Sequence, residues 1–176
     1  MSNLEQAVIG GGCFWCTEAI YSRIKGVSKI EPGYAGGSIP NPSYKLVCTG
    51  TTGHAEVVRI SYDASVITYK QIIDIFWHAH DPTTLNRQGN DIGTQYRSII
   101  LFKDDNQKKI AENSLEEARE SGDFKDAIVT QIEALKEFYP AENYHYEYFA
   151  NNPNQPYCAA VIAPKVQHFF EEFPEK

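Results

Sequence analysis

Gly10-Gly11-Gly12 followed by Cys13 constrains this chain more than any other run in it. Ala7-Val8-Ile9 leads in with the unbroken apolar character of a buried strand, and Cys13 to Ile24 follows with helical spacing. Three residues without a Cβ let a strand end in a tight turn and pass directly into a helix, through backbone conformations that other residues resist. A thiol on the first turn of that helix meets free N–H groups and the positive end of the helix dipole, and both favour thiolate over thiol. Cys13 is therefore expected to ionise easily and to act as a nucleophile. The glycines do not form a nucleotide cradle: Trp15 stands where G-x-G-x-x-G requires its third glycine, and no Gly-Lys-Ser/Thr follows.

Cys16 completes a C-x-x-C, the pattern of redox chemistry or of half a metal site. The amino terminus lacks a basic start followed by an apolar run, so the expected compartment is the cytoplasm, where permanent disulfide frameworks are rare. No run of about 18 apolar residues is present to span a membrane. The net charge of −7, with lysines and arginines scattered, argues against nucleic-acid binding, which needs dense positive charge. Read without chemistry, Cys13 and Cys16 are small buried hydrophobes beside a packing Phe14-Trp15 pair. A zinc site would need His78 and His80 as further ligands, but two residues apart near a helix end these point in different directions and read better as packing or capping groups. No metal or cofactor is expected. Cys48, between apolar Leu46-Val47 and uncharged neighbours, reads as structural.

Along the chain, Val27 to Ile30 reads as a short strand entering a long Gly-, Pro-, Ser- and Thr-rich loop from Pro32 to Gly53, a suitable place for function. Ala55 to Tyr62 alternates as a strand, and Tyr69 to His78 repeats apolar residues on one helical face until Asp81-Pro82. A second irregular stretch, Pro82 to Gln95, precedes a strand from Ser98 to Phe102. Ile110, Ala111, Ser114, Leu115 and Ala118 then mark an amphipathic helix ending near Gly122. Ile128 to Ile132 reads as a strand, Ala141 to Ala150 as a Tyr-rich helix, and Lys165 to Phe173 as a terminal helix. The order contains β-α-β-β-α-β, so the expected fold is a single α+β domain over residues 1–176, a two-layer sandwich with a split β-α-β, ferredoxin-like core.

The run Gly12-Cys13-Phe14-Trp15-Cys16 resembles the active-site signature of the A-type peptide-methionine sulfoxide reductases. Tyr44-Lys45-Leu46-Val47-Cys48-Thr49-Gly50-Thr51-Thr52-Gly53-His54-Ala55-Glu56 is similar to a second block of that family. Gly89-Asn90-Asp91-Ile92-Gly93-Thr94-Gln95-Tyr96-Arg97-Ser98 is similar to a third. The resemblance implies that Cys13 attacks the sulfoxide sulfur, that Glu56 protonates the oxygen, that Tyr44 and Tyr96 hydrogen-bond to it, and that Asp91 supports this polar cluster. It implies the S epimer as substrate, free or in oxidised proteins, and thioredoxin as reductant. A sulfoxide oxygen leaves poorly until protonated, so the acid must stay neutral near pH 7 in an apolar pocket. Phe14 and Trp15 are the expected walls of that pocket and of the site for the sulfur-bound methyl group. Other readings of the same residues remain: Glu56 as a solvent-facing strand residue, the tyrosines as packing, Asp91 as a turn residue bonding its own backbone, and His54 as a structural hydrogen-bonding group.

Loss of the oxygen would leave Cys13 as a sulfenic acid, to be condensed with a second thiol into a disulfide. Cys16, three residues along the helix, and Cys158, in the loop-like Asn151-Asn152-Pro153-Asn154-Gln155-Pro156-Tyr157-Cys158, both qualify; proximity favours Cys16. Ala159-Ala160-Val161-Ile162-Ala163-Pro164 replaces the glycine-rich tail in which some family members carry a recycling cysteine. A general thiol-disulfide oxidoreductase and a zinc-stabilised binding module are the rival functions.

Overall fold

The computed structural model describes residues 3–172. Its centre is a six-stranded sheet. β1 (Leu4–Gly10), β2 (Val27–Ala35) and β3 (Ala55–Asp63) join β6 (Ile99–Phe102), β7 (Gln131–Ala134) and β8 (Phe138–Pro140) in the order β7-β6-β1-β3-β2-β8. β3 lies between β1 and β2 and is antiparallel to both, while β6 runs antiparallel along the other side of β1. Helix α1 (Phe14–Tyr21) crosses from β1 to β2, and α3 (Tyr69–Ala79) lies between β3 and β6 in the chain. The fold is therefore of the α+β class. Two strands lie outside the expected core order: β7, parallel to β6, and β8, antiparallel to β2.

Local chemistry sets the elements. Thr68 and Gln71 form a reciprocal capping box at the start of α3: the Gln71 amide donates to Thr68 Oγ1 at 3.1 Å, and the Thr68 amide to Gln71 Oε1 at 2.9 Å. Asp104 caps α4 (Asp105–Glu120) by accepting the Gln107 amide at 2.9 Å. The buried face of α4 carries Ala111, Leu115 and Ala118, and Ser114 there accepts Trp77 Nε1–H at 2.8 Å.

Several sequence boundaries are corrected. β2 continues to Ala35, five residues past the expected Ile30, so the first loop begins at Gly36. Pro32 is accommodated because its carbonyl, accepting the Ala141 amide at 2.9 Å, faces the sheet edge, and the donor that proline lacks falls on that same side. The loop contains α2 (Tyr44–Val47), capped by Ser43, whose Oγ accepts the Leu46 amide at 3.1 Å. His54 pins the loop: its Nδ1 accepts the Gly37 amide at 3.0 Å and its Nε2 donates to the Ile39 carbonyl at 2.7 Å. The second irregular stretch folds into a small hairpin, β4 (Arg87–Gln88) and β5 (Asp91–Ile92), followed by a 3₁₀ turn at Thr94–Tyr96.

The strand expected at 128–132 lies at 131–134. The helix expected over Ala141 to Ala150 is broken into a 3₁₀ turn at Asn143–His145 and α5 (Tyr148–Asn151). Glu147 between them has φ +52°, which no α-helix contains. Cys158 is not in a loop but opens a π-helical turn, Cys158–Ile162, that leads into α6 (Ala163–Glu172); Phe173 lies outside the described residues.

Candidate active site

Cys13 is the residue that caps α1, where β1 gives way to the helix through the glycines. Gly12 has φ +92°, and a Cβ there would lie 2.6 Å from the Gln88 side chain; a Cβ on Gly10 would lie 2.7 Å from the Glu56 carbonyl. The turn can therefore press against the edge of β3, and that approach brings Glu56 to Cys13. Glu56 is 1% exposed. Its Oε1 accepts the Phe14 amide at 3.1 Å, one of the free N–H groups at the start of α1, and its Oε2 has no hydrogen-bond partner among the described residues. Burial raises the carboxyl to about 8, against the lowering effect of the Phe14 amide, while the charge of Asp91 adds to the rise and the adjacent Cys13 thiol opposes it. The group is thus a carboxylic acid at neutral pH.

Tyr44, on α2, and Tyr96, in the 3₁₀ turn, converge on this pair from the two loops. Burial first, and then the charge of Glu56, pushes both phenols above their ordinary range, and Cys13 contributes to both. Both tyrosines therefore remain O–H donors beside the acid.

The aromatic surroundings are richer than the sequence suggests. Phe14 is buried, with its ring 5.7 Å from Tyr34, 6.2 Å from Tyr44 and 5.0 Å from His145. Trp15 is half-buried and stacks on Tyr148 at 3.9 Å and 9°. Trp15 Nε1–H donates to His145 Nδ1 at 3.0 Å, which puts the imidazole proton on Nε2; that nitrogen is buried and has no partner among the described residues.

A sulfur nucleophile, a neutral acid, two phenol donors and an aromatic wall suit the reduction of a polar S=O group that carries a small apolar substituent. Comparisons with known proteins point to the same chemistry. The family model described as peptide methionine sulfoxide reductase matches residues 5–176. The peptide methionine sulfoxide reductase MsrA of Saccharolobus solfataricus is 54% identical over 173 residues, covering 98% of this chain and 97% of the relative. The reduced form of Mxr1 from Saccharomyces cerevisiae superposes with a TM-score of 0.81 at 38% identity, over 87% of this chain and 88% of that one. Mxr1 in complex with Trx2 matches with a TM-score of 0.59 at 26% identity, over 83% and 85%.

The chain belongs to the peptide methionine sulfoxide reductases, A type.

In this peptide methionine sulfoxide reductase the state of the sulfurs differs from expectation. Cys13 is only 6% exposed, and burial, a hydrogen bond to Cys16 and the charge of Glu56 push its thiol well above the ordinary value, outweighing the helix N-terminus. The easily ionised thiol is instead Cys16, lowered to about 7 by the hydrogen bond from Cys13, against the cost of burial, with Lys165 and Tyr157 assisting. Cys158 is fully buried, and burial together with the charge of Cys16 raises its thiol. Cys48 is exposed and accepts a hydrogen bond from Tyr44.

Asp91, on β5, accepts the Tyr157 hydroxyl and lies on the Cys16 side of the site, where the same cleft of about 380 Å³ is lined by Cys13, Cys16, Gln88, Asp91, Tyr157 and Lys165. His80 is buried, its Nδ1 donating to the Phe76 carbonyl and its Nε2 accepting from Ser98, each at 2.7 Å; burial lowers it to about 3, and both nitrogens are committed within the fold. No described helix is long and apolar enough to cross a membrane.

Glu142, Tyr34, His145, Tyr148 and Tyr157 were not singled out from the sequence. Glu142 receives Tyr34 Oη–H and the Tyr44 amide on its two oxygens, both at 3.0 Å, and so ties β2 to the start of α2. The signal lay in the polar pair of Glu142 and His145, three residues apart within a run of tyrosines, which helical periodicity absorbed.

Proposed function

We propose that this reductase acts on the S epimer of methionine sulfoxide, free or in proteins, through a sulfenic acid on Cys13 that Cys16 resolves and thioredoxin recycles, the whole chain serving as one cytoplasmic catalytic domain. The observation that carries the reading is the buried, protonated Glu56 beside the Cys13 thiol. Cys13 attacks the sulfoxide sulfur and its proton passes to the Cys16 sulfur, to which it already donates. Glu56 gives its proton to the oxygen while Tyr44 and Tyr96 hydrogen-bond to it. The S=O bond opens, oxygen moves to Cys13 as S–OH, and the thioether leaves as methionine. The sulfur-bound methyl group rests against Phe14 and Trp15, and with the oxygen fixed on the other side only one configuration at sulfur aims its lone pair and substituents correctly.

Resolution by Cys16 is supported by the hydrogen bond it already shares with Cys13 and by its lower pKa, whereas Cys158 is buried and held as a thiol. Thioredoxin is the reductant suggested by the related Mxr1, which has been seen in complex with Trx2. The test supplies each sulfoxide epimer separately with dithiothreitol and follows methionine release. Turnover of the S epimer alone is expected; reduction of neither epimer refutes the assignment, and equal reduction of both refutes the stereochemical part.

A further inference from the structure

Lys165 lies on α6, within the continuous helical run that the π-helical turn Cys158–Ile162 opens. It is half-buried and forms no ion pair with a carboxylate among the described residues, although Asp91 lines the same cleft. It shares that cleft with Cys13 and Cys16, and its charge acts on Cys16 and on His80, which is neutral. Tyr157 and Asp91 complete the wall, with the Tyr157 hydroxyl committed to Asp91. The two sulfurs of the C-x-x-C thus have different surroundings: Cys13 adjoins Glu56 and the phenols, and Cys16 adjoins an otherwise unneutralised ammonium.

We propose that Lys165 is a positioning residue for the second half of the reaction, holding the anionic form of Cys16 both when it attacks the Cys13 sulfenic acid and when it departs during reduction of the disulfide. This rests on Cys16 being the resolving thiol. In the first event Cys16 gives up its proton, its thiolate forms the S–S bond to Cys13, the S–O bond breaks, and the leaving hydroxide takes that proton as water. In the second, the thiolate of a dithiol reductant attacks a disulfide sulfur. The sulfur whose thiolate is better stabilised leaves faster, so the mixed disulfide forms on Cys13 and Cys16 departs beside Lys165. The lowered value of Cys16 fits this arrangement, in which Cys13, Glu56, Asp91, Tyr157 and Cys158 are the titratable groups that interact with Cys16 and His80 is a further one beside Lys165.

The test starts from the sulfenic acid formed on Cys13 by a single turnover with methionine sulfoxide in the absence of reductant, followed once methionine has been released. Its lifetime is read by dimedone trapping and mass spectrometry in the full-length protein. Lys165→Met is expected to lengthen that lifetime at pH 7 by about threefold or more, because raising a thiol pKa from near 7 by about one unit removes most of its thiolate. It is also expected to move the midpoint of Cys16 alkylation upward, and Lys165→Arg is expected to restore both. If Lys165→Met changes neither quantity while Cys16→Ser prolongs the sulfenic acid, the role of Lys165 is overturned and Cys16 stands. If Cys16→Ser leaves the lifetime unchanged, the assignment of Cys16 is itself overturned, and the proposal with it.

Discussion

The Phe14 amide donates to Glu56 Oε1 at 3.1 Å across 42 residues of sequence. This single bond fixes the acid to the same helix start that carries the nucleophile. It satisfies one oxygen of a buried carboxyl and leaves Oε2 without a partner, available to protonate a substrate oxygen. Removing the acid while keeping the bond is the sharpest intervention available: Glu56→Gln retains an acceptor for Phe14 and loses the titratable proton. Methionine release is expected to fall about a hundredfold or more, the usual contribution of a general acid. A rate within about threefold of the parent protein contradicts the role given to Glu56.

The same carboxyl sets a pH limb. Its protonated form is the active one, and with a value raised to about 8 it persists through neutrality. The single-turnover rate of methionine formation should therefore decline as pH rises through about 8. The Glu56→Gln residual rate should lack that decline.

A linked effect on stability follows with a definite sign. The folded-state pKa of Glu56 lies above its reference of 4.5, so its contribution is fully present below about 4.5 and is lost as pH rises through about 8. Each unit of that interval is worth at most about 1.4 kcal/mol. Glu18, buried on α1 and raised by burial to about 7, adds in the same direction. Thermal melts of the parent protein and Glu56→Gln, run from pH 5 to pH 9, should show the variant gaining on the parent as pH rises. Parallel curves contradict a neutral buried Glu56.

His145 is the strongest positioning contact that the sequence did not disclose. It accepts Trp15 Nε1–H and packs against Phe14 and Tyr44, the latter at 4.4 Å between ring centroids. His145→Ala removes an acceptor from a partly buried indole and opens space beneath the aromatic wall. The expected result is a KM for methionine sulfoxide raised about tenfold with a smaller loss in kcat, because the acid and nucleophile stay in place. A loss confined to kcat would place His145 on the reacting atoms instead.

What could be read in advance divides along physical lines. The strand and glycine turn at residues 7–12 and the α3 and α4 helices, the latter two with strong periodicity and capping chemistry, are present, while the first helix ends at Tyr21 and not at the expected Ile24. The pairing of Cys13 with Glu56 came from resemblance to a family, since no local pattern places residue 56 beside residue 13; the register of β1, β3 and β2 does. The segment from Ala141 to Ala150 misled because its polar and aromatic residues serve a tertiary purpose: Tyr148 stacks on Trp15, His145 packs on Phe14, and Glu142 bonds Tyr34 and Tyr44. The contrast between Cys13 and Cys16 was not legible because it arises only in the folded chain: burial raises the Cys13 thiol, and the hydrogen bond from Cys13 lowers Cys16 although Cys16 is itself buried.

The glycine turn before Cys13 can be tested with an internal control. Gly12 at φ +92° and Gly89 at φ +58° both occupy left-handed backbone that costs an L-residue roughly 1–3 kcal/mol. At Gly89 an added methyl meets nothing within 4 Å, so Gly89→Ala carries only that backbone cost. At Gly12 the methyl would lie 2.6 Å from Gln88 Cγ and 2.8 Å from its Cβ. Gln88 cannot swing away freely: its Oε1 accepts the Asp81 amide at 2.7 Å and its Nε2 donates to the Asp81 carbonyl at 2.9 Å. Gly12→Ala must therefore move either the β4–β5 hairpin, which bears Asp91, or Cys13 itself. Its melting temperature should fall further than that of Gly89→Ala, by about 2–4 °C for each additional kcal/mol. Its methionine release should drop while Gly89→Ala remains close to the parent protein. Equal melting temperatures and equal activity in the two variants would show that the packing of Gly12 on Gln88 has no part in holding the nucleophile.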